Sequence, residues 1–294
     1  MKFAVYGQYY QESYDEILKE IISFCHAKNI EIVFEKQFFE KAKKNNPIEA
    51  KTFSSSLDLN LDSSFDVFIS VGGDGTILRA STFVRDSGVP ILGINAGRLG
   101  FLASIPKESI LHYLDLVFQK KYTLSKRTVL GLETLIAIPE LEEINFALNE
   151  VSINRKDTTS MIVIETYLNG EYLNSYWADG LIISTPTGST GYSLSCGGAV
   201  LLPDAKSLII TPIAPHNLNT RPIVIPEETE IKLKVSGREE QYLVSLDSRI
   251  FTISNENELT IKKKPFDINM VAFQDKSFLD TLRNKLLWGE DKRN

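Results

Sequence analysis

The chain has 294 residues, a hydrophobic fraction of 43% and a formal charge of −6, the profile of a globular protein long enough for two ordinary domains. The acidic balance argues against a general nucleic-acid binder, which carries a basic surface, and no run approaches the roughly 18 apolar residues of a membrane span. Cys25 and Cys196, its two cysteines, are too far apart to suggest a disulfide framework or a Cys/His metal spacing, so a reducing, cytoplasmic setting is expected.

Residues 1–120 alternate short apolar strands with amphipathic helices, which predicts an α/β domain with a largely parallel sheet. The opening residues 1–8 give way quickly to polar and acidic ones, without the apolar core of a secretory signal. Residues 3–6 form a first strand, and Tyr14, Ile17, Leu18, Ile21, Ile22 and Cys25 then recur at helical spacing. Residues 30–34 form a second strand, followed by a polar, mobile segment through Ser54–Ser56. A buried strand at 65–71 leads into Val71-Gly72-Gly73-Asp74-Gly75-Thr76, and a helix over 76–83 follows. Residues 90–95 make another buried strand and 110–118 another helix.

Beyond Lys120 the texture changes to short β-rich runs, which predicts an all-β sandwich over 121–270. Asn169-Gly170 suits a type I′ hairpin turn, and strands are expected at 231–235, 242–246, 250–254 and 259–262. The densest basic run, Lys262-Lys263-Lys264, reads as a solvated strand end. Phe278, Leu279, Leu282, Leu286 and Leu287 define a C-terminal amphipathic helix. It has no place in a sandwich, so residues 271–294 are expected to return to the first domain.

Five segments carry chemistry. In the first, glycines let backbone N–H groups approach an anion at a strand-to-helix turn. A carboxylate in that loop repels phosphate unless it holds a cation or takes a proton, which makes Asp74 the catalytic candidate. The second, residues 95–102, begins at Asn95 on the carboxyl end of a strand, where α/β clefts form; Phe101 either stacks on a base or belongs to the core. The third is Asn149-Glu150, whose amide and carboxylate can read a sugar diol, although a strand-end turn looks the same. The fourth, 179–195, runs from Asp179 through an apolar strand into a loop dense in hydroxyls and glycine, suited to a polar ligand. The fifth, 211–222, is fixed by three prolines. Ala214 leaves room there for a close approach, and His216 lacks a partner at the spacing a general base needs. There is no Walker loop, no GxGxxG, no HExxH and no paired CxxC.

Taken together, the chain resembles the NAD kinases. GGDGT at 72–76, NxGxLGFL at 95–102, Asn149-Glu150, DGLIISTPTGSTGYSLS from Asp179 and PIAPHxLxxRP ending at Pro222 occur in family order across essentially the whole chain. The resemblance implies an N-terminal α/β Rossmann-like domain, a C-terminal β-sandwich and transfer of the γ-phosphoryl group of ATP to the 2′-hydroxyl of NAD's adenosine ribose, giving NADP. It implies that Asp74 accepts the hydroxyl proton, that Gly72, Gly73, Gly75 and Thr76 hold the donor phosphates, and that Arg79 neutralises charge. Asn95 and Phe101 are carried over as nucleotide contacts. Asn149 and Glu150 would hold the ribose and adenine region, and Asp179 the nicotinamide amide. Thr187, Thr190, Gly191, Tyr192, Ser193, Leu194 and Ser195 would line the dinucleotide cleft, with Ala214 packed on the nucleotide. Magnesium is expected to travel with ATP rather than in a protein cage, and a homodimer or homotetramer formed through the β domain is implied.

Two departures stand out. Asp247-Ser248-Arg249 replaces the Asp-Gly-Gln of many members, and Trp177 stands where some relatives have arginine. A lipid kinase sharing the GGDGT loop is a rival reading, but the sequence offers no basic amphipathic stretch for a membrane surface. A non-catalytic NAD(P) sensor on the same scaffold is another, disfavoured by the intact Asp74 loop.

Overall fold

The computed structural model describes residues 1–44, 50–54, 64–97, 99–157 and 160–289. Its contacts divide the chain into two compact units, Met1–Lys126 with Ile268–Asn294, and Arg127–Asp267. The chain begins with β1 (Lys2–Tyr6), α1 (Asp15–Ala27), β2 (Glu31–Glu35), α2 (Lys36–Ala42), β3 (Lys51–Phe53), β4 (Val67–Gly72), α3 (Asp74–Val84), β5 (Ile91–Asn95), β6 (Ile105–Pro106), α4 (Ile110–Phe118) and β7 (Thr123–Arg127). There follow β8 (Leu130–Thr134), α5 (Pro139–Glu142), β9 (Phe146–Ala147), β10 (Glu150–Arg155), β11 (Ile162–Leu168), β12 (Glu171–Ala178), β13 (Gly180–Ser184), α6 (Tyr192–Ser195), β14 (Ser207–Ile213) and β15 (Ile223–Pro226). The last elements are β16 (Ile231–Ser236), β17 (Gln241–Leu246), β18 (Arg249–Ser254), β19 (Leu259–Lys263), β20 (Ile268–Ala272) and α7 (Phe278–Leu286).

The first unit is built on a sheet of order β3-β2-β1-β4-β5-β20-β7, with β6 beside β5. Neighbours from β3 to β20 pair in parallel. A parallel sheet covered by helices must be apolar on both faces, and β4 and β5 are buried along their whole length. The strand order reverses between β1 and β4, and at such a switch point the carboxyl ends of the strands leave a crevice. The GGDGT turn leaves β4 there. Tyr14, just before α1, and Ile17, Leu18, Ile21 and Cys25 within it enter the core as their spacing predicts.

The second unit consists of two six-stranded sheets, β15-β14-β13-β10-β17-β18 and β12-β11-β16-β19-β8-β9, with antiparallel pairings throughout. Strand β16 alternates buried and exposed side chains without exception, the period of a strand with one face on a core. That core draws Val151, Leu181, Ile210 and Val244 from one sheet and Leu132, Ile164, Leu233 and Ile261 from the other, so the unit is a sandwich. Asn169 and Gly170 adopt φ of 50° and 85° between β11 and β12, the turn their sequence demands.

The structure departs from the sequence pattern in three places. Residues 36–54, read as a polar segment, hold α2 and β3. Glu35 caps α2 by accepting from the N–H groups of Gln37 and Phe38, while Phe38, Phe39 and Ala42 supply a short buried face that a seven-residue helix hardly displays as periodicity. The remainder of that segment, including Ser55 and Ser56, lies outside the described residues. Residues 121–126 and 268–270, grouped in sequence with the sandwich, belong to the first unit, because β7 and β20 are neighbours in its sheet. In α7 only Leu282 is fully buried, and Leu279 and Leu287 are exposed. The helix does return to the first unit: Phe278 packs on Phe101 with ring centroids 6.1 Å apart, and just before it Asp275 Oδ2 accepts from the Tyr113 hydroxyl at 2.6 Å.

Candidate active site

In the first unit, Gly73 is the N-cap of α3 and Asp74 its first residue. The first N–H groups of a helix have no intrahelical acceptor; here Thr76 N–H already bonds the Gly73 carbonyl at 3.0 Å, and a Cβ added at Gly73 or Gly75 would meet nothing within 4 Å. The turn therefore presents open backbone at the positive end of a helix dipole. Asp74 does not swing freely in this turn. Its Oδ2 accepts from the N–H of Phe101 at 2.7 Å, and its Oδ1 from those of Leu102 and Ala103 at 2.9 and 3.0 Å. Gly100 is what permits this approach, since a Cβ there would lie 1.9 Å from Asp74 Oδ1. Two of the sequence motifs are thus one structural device, in which the LGFL segment fixes the carboxylate of GGDGT.

The other first-unit candidates divide. Thr76 is buried at the start of α3. Arg79, one turn on, is exposed and hydrogen-bonds the Tyr6 side chain, whose hydroxyl is pushed up to about 12 mainly by burial. Asn95 Oδ1 accepts from the N–H of Gly97 at 2.7 Å, and Asn95 lines a cleft of about 570 Å³ with Ser104, Lys107, Lys276 and Ser277. Phe101 is half-buried against Phe278, so its ring serves the packing of α7 and only its N–H serves Asp74.

In the second unit, Asn149 precedes β10 and Glu150 opens it, and the hydroxyl-rich loop after β13 lies directly on them. Thr185 N–H donates to the Asn149 carbonyl at 2.9 Å, and Thr185 Oγ1 donates to that of Leu148 at 2.6 Å. Gly188 sits so close that a Cβ would come within 2.2 Å of the Asn149 carbonyl oxygen. This packing gathers Asn149, Glu150, Thr187, Thr190, Gly191 and Tyr192. Asn149 Oδ1, Glu150 Oε2 and Thr187 Oγ1 are all buried without a hydrogen-bond partner. Native interiors pair nearly all such atoms, and the Asn149 and Glu150 side chains converge at Gly191, where a Cβ would lie 3.4 and 3.1 Å from them, so these orphans suit a polar ligand. Burial first, and the Asp247 carboxylate second, push the Glu150 carboxyl up to about 8 against the N–H of Tyr192.

The remaining candidates are less uniform. Asp179 Oδ1 is paired with Arg155 at 3.0 Å. Ser193 departs from the cleft reading, because it is fully buried and its hydroxyl shares a 2.8 Å hydrogen bond with Thr211. Leu194 is half-buried, Ser195 is exposed, and Tyr192 keeps 41% exposure. Ala214 is exposed with φ of 44°, a region costly for a residue with a Cβ. His216 is exposed, its ring against that of Trp177 and its N–H on the Trp177 carbonyl.

Sequence reading missed two contributors. Arg155 had no motif to mark it. Asp247 was noted only as part of a departure, yet it accepts from three consecutive backbone N–H groups, those of Leu148, Asn149 and Glu150. The signal for it was an aspartate between two strand patterns, where a turn in the left-handed region favours Asp or Asn.

The comparisons bear on the same segments. Residues 6–122 match the model of the ATP-NAD kinase N-terminal domain and 148–273 that of the ATP-NAD kinase C-terminal domain. The NAD kinase of Flavobacterium psychrophilum is 63% identical over the full length of both chains, and that of Bacteroides fragilis 42%. The fold is that of yeast NADH kinase complexed with NADH, with a TM-score of 0.87 at 21% identity over 99% of this chain and 88% of that one. An NAD kinase from Archaeoglobus fulgidus in complex with ATP superposes with a TM-score of 0.76 at 26% identity, covering 98% and 99%. With both family domains matched and full-length relatives well above 30% identity, this chain belongs to the ATP-NAD kinase family.

Proposed function

We infer that the chain transfers the γ-phosphoryl group of ATP to the 2′-hydroxyl of the adenosine ribose of NAD, giving NADP. The observation that carries this reading is the immobilised Asp74 carboxylate at the head of α3, beside open glycine backbone. In phosphoryl transfer the leaving-group bond is largely broken in the transition state, so catalysis is mostly alignment and charge neutralisation. A carboxylate clamped by three amides suits that task. Asp74 orients the attacking hydroxyl and takes its proton late, while the N–H groups of the Gly73–Gly75 turn and the Arg79 guanidinium face the phosphates.

The acceptor nucleotide is read by the second unit. Asn149 and Glu150 receive the adenosine ribose through side-chain oxygens that have no partner within the protein. Asp179 takes the nicotinamide amide, and Gly191, Tyr192 and Ala214 border the nucleotide. Magnesium would travel with the triphosphate and supply charge neutralisation there. The lipid-kinase and sensor readings have no support in the family match.

The protein works as a cytoplasmic homodimer or homotetramer joined through the sandwich. The apolar side chains of Leu135, Ile136, Trp177 and Ile250 that this unit exposes are the ones such contacts would cover. The deciding experiment incubates the pure protein with NAD, ATP and magnesium and follows NADP. Formation of NADP is expected; tight NAD binding without it sinks the reading.

A further inference from the structure

We propose that Asp247 is the positioning residue of the acceptor site, holding the Asn149-Glu150 pair ready for the nucleotide's ribose; this rests on the reading of that pair given above. Asp247 forms the turn between β17 and β18 with φ of 54°. Its Oδ2 accepts from Leu148 N–H at 3.0 Å, and its Oδ1 from Asn149 and Glu150 N–H at 2.8 and 3.3 Å. Its own N–H donates back to the Glu150 carbonyl at 3.0 Å. Thr185 takes the two carbonyls that remain, through its hydroxyl to Leu148 and its N–H to Asn149. All six main-chain polar groups of residues 148–150 are thereby paired inside the protein.

The side chains of the same residues show the opposite condition, with Asn149 Oδ1 and Glu150 Oε2 buried and unpartnered. A segment whose backbone is saturated cannot turn to satisfy its own side chains, so the unmet hydrogen-bonding capacity stays available to a ligand. This is preorganisation, in which the cost of ordering is met before binding. Two features show that the carboxylate, and not merely a turn, is required. A neutral turn residue has no two acceptor oxygens for three successive amides. The Asp247 charge also raises the proton affinity of Glu150, which bears on whether Glu150 donates to or accepts from a ribose hydroxyl.

The ionisable groups around this point are few. Burial raises the Asp247 carboxyl, against the N–H groups it accepts and Arg249, which lies on the same turn and hydrogen-bonds the carbonyls of Ile144 and Phe146. Tyr192 directs its N–H at Glu150, and Asp179 and Cys196 lie near the Tyr192 hydroxyl.

Asp247→Asn tests the proposal, because Asn tolerates the left-handed turn and keeps one acceptor. The expected result is a KM for NAD raised about tenfold with kcat at saturating NAD within about threefold, the equivalent of one lost tenfold increment in binding. The KM for ATP should not move. In the pH profile of kcat/KM for NAD, the inflection that Glu150→Gln abolishes should shift to lower pH in Asp247→Asn, since a neighbouring negative charge has gone. A KM for NAD unchanged from wild type together with an unshifted inflection overturns the proposal. If Asp247→Asn fails to fold, amide exchange in the unliganded wild type decides. Amides of Leu148, Asn149 and Glu150 as protected as those of Val151–Ile153 support preorganisation, and fast exchange there overturns it. Wild-type protein that makes no NADP from NAD and ATP would instead remove the functional reading itself, and this inference with it.

Discussion

The Asp74 carboxylate is met by three N–H donors, whereas that of Glu150 lies buried near a second carboxylate, Asp247. The first arrangement fixes a charged group in place. Asp74→Asn should therefore leave NAD binding intact while turnover falls at least about a hundredfold, the usual worth of a positioned acid or base; single-turnover kinetics with a separate binding titration checks this. Gly100→Ala makes the same point from a distance. A Cβ 1.9 Å from Asp74 Oδ1 must displace the carboxylate, so turnover should fall about tenfold or more from misplacement alone, with NAD affinity preserved. The second arrangement predicts a pH dependence of stability. Glu150 is raised to about 8 in the folded protein, and Asp247 is raised as well, so the folded state binds more protons than the unfolded one between the ordinary carboxylate range and about pH 8. Stability from these groups is complete at low pH and is lost as pH rises through that window. Thermal melts of the ligand-free protein should show a decline over this interval, and Glu150→Gln should flatten it.

Elements decide which of these residues meet. The β4-α3 turn places Asp74 at a helix start, and the connection from β5 to β6 brings Gly100 to Ala103 around to it. Short loops and a register such as Gly72↔Asn95 between β4 and β5 hold the two motifs within reach. In the sandwich, β10 is bracketed by β13 and β17, and the loops leaving those neighbours carry Thr185 and Asp247 to residues 148–150. The C-terminal helix is anchored more narrowly than its pattern suggests, through Leu282 and the Phe278–Phe101 contact. Leu282→Ala should cost about 2–3 kcal/mol by loss of burial and the cavity left behind, measured by denaturant unfolding. Because Phe101 packs on this helix and donates to Asp74, the same change should also reduce turnover.

For the whole molecule, the central fact is that the first unit is not continuous in sequence. Strand β20 lies between β5 and β7 in its sheet, so a fragment ending at Asp267 leaves that sheet with an unfilled interior position. Unpaired strand edges and exposed apolar faces follow, and the fragment should aggregate or lose native far-UV circular dichroism relative to the full chain. The sequence by itself determined the α/β-then-β order, the hairpin at Asn169-Gly170, the chemical character of the Asp74 turn and the family, because these depend on local periodicity, turn stereochemistry and contiguous motifs. Only the tertiary structure decided that LGFL clamps Asp74, that Ser193 is interior, that Phe101 belongs to packing and that Asp247 holds Asn149-Glu150. It also decided which sheet β20 joins. Each of these is a pairing between residues far apart in the chain, and neither composition nor spacing carries the register that brings them together.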